Sequence, residues 1–209
     1  MFYILLGVIL LVSLSALSNQ DLIRRLSFSP YAIIQQGQWY RFLSHVLVHG
    51  SFAHLFINLF VFYSFGRFVL GAFQAIKGPT FGSILFYFML IGAAIFSSLK
   101  AFSKHKEDSS YHAIGASGVV SAVLFSFVLM QPLNSIYLFF IPIPIPAFIF
   151  GSVYLAYEYW MDKKSSDHVA HDAHFFGALF GILFTVFLDF SILSSFFSQI
   201  GQFINSFLS

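Results

Sequence analysis

From Tyr111 to Tyr157 the chain runs 47 residues without a single Asp, Glu, Lys or Arg. At 1.5 Å per helical residue, that is enough for two crossings of a bilayer core roughly 30 Å thick. Composition agrees. Hydrophobic residues make up 58% of the 209 and charged residues 9%, whereas a soluble domain carries about 25% charged residues. Such a chain cannot cover itself for water, so it reads as an all-α membrane protein. A net charge of +2 is too small to argue for a nucleic-acid partner. The absence of cysteine excludes disulfides, thiolate zinc sites, iron–sulfur clusters and a cysteine nucleophile.

The charges punctuate the chain into six expected spans. Phe2–Leu17 is the first. A polar stretch with Asp21, Arg24, Arg25 and Arg41 follows. Phe52 to about Phe73 is the second, turned by Lys77-Gly78-Pro79 into a third over Phe81–Leu99. After the charged loop 100–110, the long uncharged run holds the fourth and fifth spans. Gln131–Ser135 is the expected hairpin between them, and Pro142, Pro144 and Pro146 keep the start of the fifth from being regular helix. Glu158 to Asp172 reads as a polar loop, and Phe175 to about Leu188 is the sixth span. The first span is expected to be retained. Ala16-Leu17-Ser18 would suit signal-peptide cleavage, but no Lys or Arg precedes it. The organisation is thus a membrane domain over residues 1–190 and an uncharged segment over 191–209. In the latter, Leu193, Phe196, Phe197, Ile200, Phe203, Ile204 and Phe207 follow a helical period, expected as a short helix on the membrane surface.

Even-numbered spans cross in the same direction, and each carries polar residues near its start. The second has His54 and Asn58, the fourth Ser117 within Gly115-Ala116-Ser117-Gly118, and the sixth His174. Polar groups inside a membrane are costly and mark function by default. Gly118 and Ala122 form a small-xxx-small pair on the fourth span; Gly177 and Gly181 form another on the sixth. Such faces let backbones approach. His174 lies three residues before Gly177, hence on the same face, and Ser117 adjoins Gly118. If the faces meet, His174 reaches the Ser117 hydroxyl, a nucleophile and its base. His54 and Asn58, four apart, point the same way. Beside Ser117 they are candidate donors to an oxyanion, together with the Ser117 amide. Asp172 is two residues before His174 and faces away from it, so an N-cap role is expected. Each piece also has a bland reading as helix packing, capping or interfacial histidine; the conjunction on helices of one parity favours chemistry.

In this order and spacing the residues resemble the rhomboid family of intramembrane serine proteases. Trp39-Tyr40-Arg41 followed by His45, His49, His54 and Asn58 resembles the family's first-loop and His–Asn elements. Gly115–Gly118 looks like its Gly-x-Ser-Gly motif, and Ala173–Gly181 like its catalytic His with the Gly-x-x-x-Gly face. The resemblance implies a six-helix bundle with Ser117 as nucleophile, His174 as base, and His54, Asn58 and the Ser117 amide as oxyanion donors. It further implies Arg41 as a structural residue, Gly177 and Gly181 as close-contact glycines, and a cap and gate over Glu158–Asp172 and the end of the fifth span. Transmembrane protein substrates and the lipid bilayer are the implied partners, with no cofactor and no metal. One position departs: where many members carry a Tyr one turn after the nucleophile, this chain has Ser121. The implied cytoplasmic N-terminus and outward-facing site also conflict with the positive-inside rule. That topology puts Arg67 and Lys77 inside, against Arg24, Arg25, Arg41, Lys100, Lys104, Lys106, Lys163 and Lys164 outside. The family topology is favoured, in a bacterial inner membrane.

Two other functions fit the same residues. One is a catalytically inactive rhomboid-like protein that binds membrane helices. The other is a metal or proton transporter built on His168, His171 and His174, with His45, His49 and His54 on the same side; no His-Glu-x-x-His motif is present.

Overall fold

The computed structural model describes residues 1–138, 141–164 and 169–208. Helix α1 is Phe2–Leu17. The polar stretch after it folds into α2 (Gln20–Leu26), α3 (Pro30–Gln36), α4 (Arg41–Ser44) and a 3-10 turn over His45–Leu47. Helices α5 (Phe52–Lys77) and α6 (Pro79–Lys104) form a hairpin, broken by Gly78 at φ 85° with Pro79 opening the next helix. Helix α7 is Ser117–Met130, α8 Ala147–Lys164, α9 His171–Leu188 and α10 Ser191–Leu208.

Among the described residues three helices, α5, α6 and α9, are long and apolar enough to cross a membrane; α1 and α7 are apolar but shorter. Helix α7 is the axis of the fold. Every residue from Gly118 to Leu129 is buried, packed among α5, α6, α8 and α9. A helix apolar on all sides is stable only in such a position. Phe62, Phe73, Phe86, Met89 and Val123 are among the buried side chains of this core.

The region between α7 and α8 differs from the expected short hairpin. Strand β1 (Ser135–Leu138) pairs antiparallel with β2 (Ile141–Pro146), Ser135 opposite Pro146 and Ile136 opposite Ile145. Proline at every second position of β2 puts all three on one edge, where no ladder N–H is required. Helix α8 then starts late, at Ala147. Its first amides are met by the turn before β1: Ala147 N–H donates to Asn134 O and Phe148 N–H to Pro132 O, both at 2.9 Å. The late start carries the helix through Lys164. Glu158 and Asp162 are therefore helical, which corrects the reading of Glu158 onwards as loop.

Two further expectations shift. Helix α9 begins at His171, with Ala170 as its N-cap. Asp172 is consequently in the first turn rather than at the cap, accepting from the Ala173 amide at 2.9 Å. The tail is helical through Leu208, and its Phe203 ring lies 5.9 Å from that of Phe148. Because Phe148 bonds to Pro132, α10 sits at the C-terminal end of α7, opposite Ser117.

Candidate active site

Ser117 is the first residue of α7, and the loop leading to it is tied down residue by residue. Phe28 and Ala113 exchange backbone hydrogen bonds at 2.8 and 3.0 Å, and Gly115 N–H donates to His45 O at 3.0 Å. The Ala116 amide donates to His49 Nε2 at 3.3 Å. A ring nitrogen that accepts carries no proton, so the neutral His49 ring is protonated at Nδ1. Nδ1 then donates to Ser13 Oγ at 2.8 Å, and the Ser13 hydroxyl donates to Leu47 O at 2.7 Å. This directional chain runs from α1 to the residue before Ser117. It needs a neutral imidazole, and burial supplies the condition by pushing His49 down to about 3. Burial likewise lowers His45 to about 4.

Gly115 has two reasons to be glycine. Its φ is +118°, a region that L side chains rarely adopt, and a Cβ there would lie 2.7 Å from His54 Cε1 and 2.8 Å from Nε2. The His54 ring is thus seated against the loop carrying Ser117. Ser51 starts α5 by accepting from the His54 amide at 3.1 Å, which fixes where His54 leaves the helix. One turn on, the Asn58 amide donates to His54 O at 2.9 Å. An amide NH2 has two protons, so one remains. Helix α7 has no side-chain cap, which leaves its first-turn amides without the usual partner.

His174 reaches the site because α7 and α9 touch backbone to backbone. A Cβ on Gly177 would lie 2.1 Å from Gly118 O, and one on Gly181 2.1 Å from Ala122 O. Gly118 itself packs on Ser97 of α6, whose Oγ would be 2.6 Å from a Cβ. The four small residues expected to form two faces therefore do face one another. His54, Asn58, Ser117, Ser121, Tyr154 and His174 line one cavity of about 1290 Å³. Ile57, Phe60 and Val61 of α5 line it on one side and Phe150 of α8 on the other. Ser117 and His174 share this cavity, but among the described residues no hydrogen bond joins them.

His174 is engaged elsewhere. Its Nδ1 lies 3.0 Å from Glu158 Oε1, and His171 Nδ1 lies 2.5 Å from Oε2 of the same carboxylate. Glu158 is buried, with 3% of its surface exposed. Reading the sequence alone missed this group. The available signal was the spacing of Tyr154, Glu158 and Asp162, four apart and so on one helix face, which becomes visible only once α8 is started at Ala147. All three make contacts: the Tyr154 hydroxyl is 3.3 Å from Ser121 Oγ, and Lys100 Nζ binds both Asp162 oxygens at 2.5 and 2.6 Å. Ser121, one turn after Ser117, is thus in contact with a Tyr from the neighbouring helix. Glu158, His171 and His174 are also a group of metal-ligating type, their ligand atoms all within 4.8 Å. Of the expected histidine trio, His171 and His174 belong to this group; His168 lies outside the described residues, as do positions 165 to 167 of the expected cap.

Arg41 organises the first loop. Its buried guanidinium donates to Gln38 Oε1 at 2.6 Å, Arg24 O at 2.8 Å and Ser27 O at 2.6 Å. Ser44 Oγ adds a bond to Leu26 O at 2.7 Å, and Ser27 Oγ meets His112 Nδ1 at 3.0 Å. The loop is thereby folded against the segment that leads to Ser117.

No curated protein matches the chain closely enough to be named as a relative. The family model described as the Rhomboid domain matches residues 36–189.

Proposed function

The chain belongs to the rhomboid family of integral membrane proteins, and from that premise we propose that it is an active intramembrane serine protease using a Ser117–His174 dyad. The family's members are in general intramembrane serine proteases. The observation that carries the proposal for this chain is the contact of Gly118 with Gly177. It brings α7 and α9 together one residue after Ser117 and three after His174, beside a cavity both residues line.

In this reading the bundle crosses the membrane six times, through α1, α5, α6, α7, α8 and α9, and α10 lies on the surface at the end away from the site. Fourteen residues give α7 a length of about 21 Å, short of a bilayer core of roughly 30 Å. In this reading Ser117 begins below the membrane surface, in the wall of the cavity. A substrate transmembrane segment, locally unwound, enters between α5 and α8 and presents a peptide carbonyl.

Ser117 Oγ attacks the carbonyl carbon while His174 Nε2 takes its proton. The oxyanion is received by the Ser117 amide, His54 and the second proton of the Asn58 amide. His174 then protonates the leaving amine, and water releases the acyl group by the same steps. No cofactor enters. Ser121 does not weaken the reading, because α8 supplies Tyr154 to Ser121 and Glu158 to His174.

The site faces outward, with the N-terminus in the cytoplasm of a bacterial inner membrane. The excess of positive charge on the outer side loses weight because part of it is held by structure: Arg41 is buried in its loop and Lys100 is bound to Asp162. The test is cleavage of a reporter carrying one transmembrane helix, co-reconstituted in liposomes. The parent should cut it near its membrane entry, whereas Ser117→Ala and His174→Ala should not. A parent that binds the reporter without cutting it would favour an inactive helix-binding protein.

A further inference from the structure

We propose that Glu158 is a positioning residue for His174, completing a Ser117–His174–Glu158 relay whose third member is supplied by α8. The proposal rests on the protease reading above and deepens it.

An ionised carboxylate only accepts hydrogen bonds. At 3.0 Å from Glu158 Oε1, His174 Nδ1 must therefore carry the proton. A neutral ring protonated at Nδ1 has its lone pair on Nε2, the tautomer a base needs in order to take a proton from Ser117. The carboxylate is itself fixed, since its other oxygen accepts from His171 Nδ1 at 2.5 Å. The Tyr154 hydroxyl donates to the same carboxylate, so both oxygens are engaged. The ring next to His174 is His171, edge-on at 6.2 Å, and the position one turn after the nucleophile is Ser121, which has no ring to lay on an imidazole. Orientation of the base falls to Glu158.

A buried carboxylate is expensive in a membrane. Glu158 lies six residues or fewer from Asp162, Lys163 and Lys164 at the same end of α8, and among these charges it is the buried one. The cost is offset by chemistry. When Ser117 attacks, its proton moves to His174 Nε2, and the ring becomes an imidazolium facing the Glu158 anion. Glu158 stays ionised throughout, and the proton leaves Nε2 for the departing amine. The three members come from α7, α9 and α8, so the base is aligned only while α8 is docked. One turn to either side of Glu158, the Tyr154–Ser121 and Asp162–Lys100 contacts hold it there.

The test compares the parent with Glu158→Gln in liposomes, reading kcat and KM for the transmembrane reporter. Glutamine keeps the size and removes the charge. It offers one carbonyl oxygen where two imidazoles donate, and its NH2 can donate to Nδ1 and impose the wrong tautomer. We expect kcat to fall by up to about 10⁴, the loss that the equivalent change produces in a soluble serine protease, with KM within about twofold. Undiminished kcat in Glu158→Gln, with the parent active and Ser117→Ala dead, would overturn the positioning role and leave the protease reading intact. A parent with no Ser117-dependent turnover would remove that reading and this proposal with it. If Glu158→Gln fails to fold, ¹⁵N-histidine resonances of the parent decide, assigned with His174→Gln. Protonated Nδ1 on His174 is expected, and the Nε2–H tautomer would overturn the proposal.

Discussion

Gly177→Ala would place a Cβ 2.1 Å from the carbonyl oxygen of Gly118. Moving that pair out to an ordinary contact of about 3.4 Å requires α7 and α9 to part by roughly 1.3 Å. The obstacle is backbone on a buried helix, so no side-chain rotation relieves it. Overpacking of this kind costs about 1–3 kcal/mol. The catalytic effect should be larger than the stability effect, because the strained point lies between Ser117 and His174. A misplacement of about 1 Å between reacting groups is worth on the order of 10² in rate. Gly181→Ala makes the same clash one turn away, against Ala122 O at 2.1 Å. It should lose similar stability and less activity. Gly71→Ala is the control, since a Cβ there meets nothing within 4 Å. The assay is reporter cleavage in liposomes together with thermal inactivation of the three variants and the parent. If Gly177→Ala cuts and melts like Gly71→Ala, the two helices are not in backbone contact and the geometry argued for the dyad is wrong.

Three further outcomes are expected. His54→Ala and Asn58→Ala should each lower kcat by about 10² to 10³, with little change in melting; parental rates in both would remove them from the oxyanion site. His45 and His49 are held neutral, at about 4 and about 3 against an ordinary 6.5, so the unfolded chain takes up their protons first. Stability should be full above pH 6.5 and decline below it, by up to about 1.4 kcal/mol per pH unit for each ring; a melting temperature flat from pH 7.5 to 5 would contradict their burial. The cysteine-free chain also allows a clean test of orientation. With single cysteines at Ser103 and Lys77, an impermeant maleimide applied to intact cells should label position 103 and spare 77, and the reverse pattern would invert the protein.

Much of the site was readable because its parts are short-range signals on helices. Glycine and alanine four apart announce a close helix contact, and Ser117 and His174 lie within one turn of those contacts. The parity of the spans put His54, Asn58, Ser117 and His174 on one side without any tertiary information. What could not be read depends on interactions between distant residues. Resemblance marked Arg41 as structural, but nothing local shows that its partners will be the carbonyls of Arg24 and Ser27. Glu158 was hidden by an error of register: three alternating prolines delay α8 to Ala147, and only then does a charge that looked like loop become a helical residue facing His174. The tautomer of His49 is similarly invisible, because its partners, Ser13 and Ala116, come from 36 residues before it and 67 after.

The central claim is an activated serine at position 117, and covalent labelling tests it without knowledge of the substrate. The detergent-solubilised protein is treated with a fluorophosphonate, beside Ser117→Ala and His174→Ala, and the adduct is located by peptide mass spectrometry. The account predicts one adduct, on Ser117 of the parent, absent from both variants. A folded parent that stays unlabelled, or one labelled equally well without His174, would contradict it.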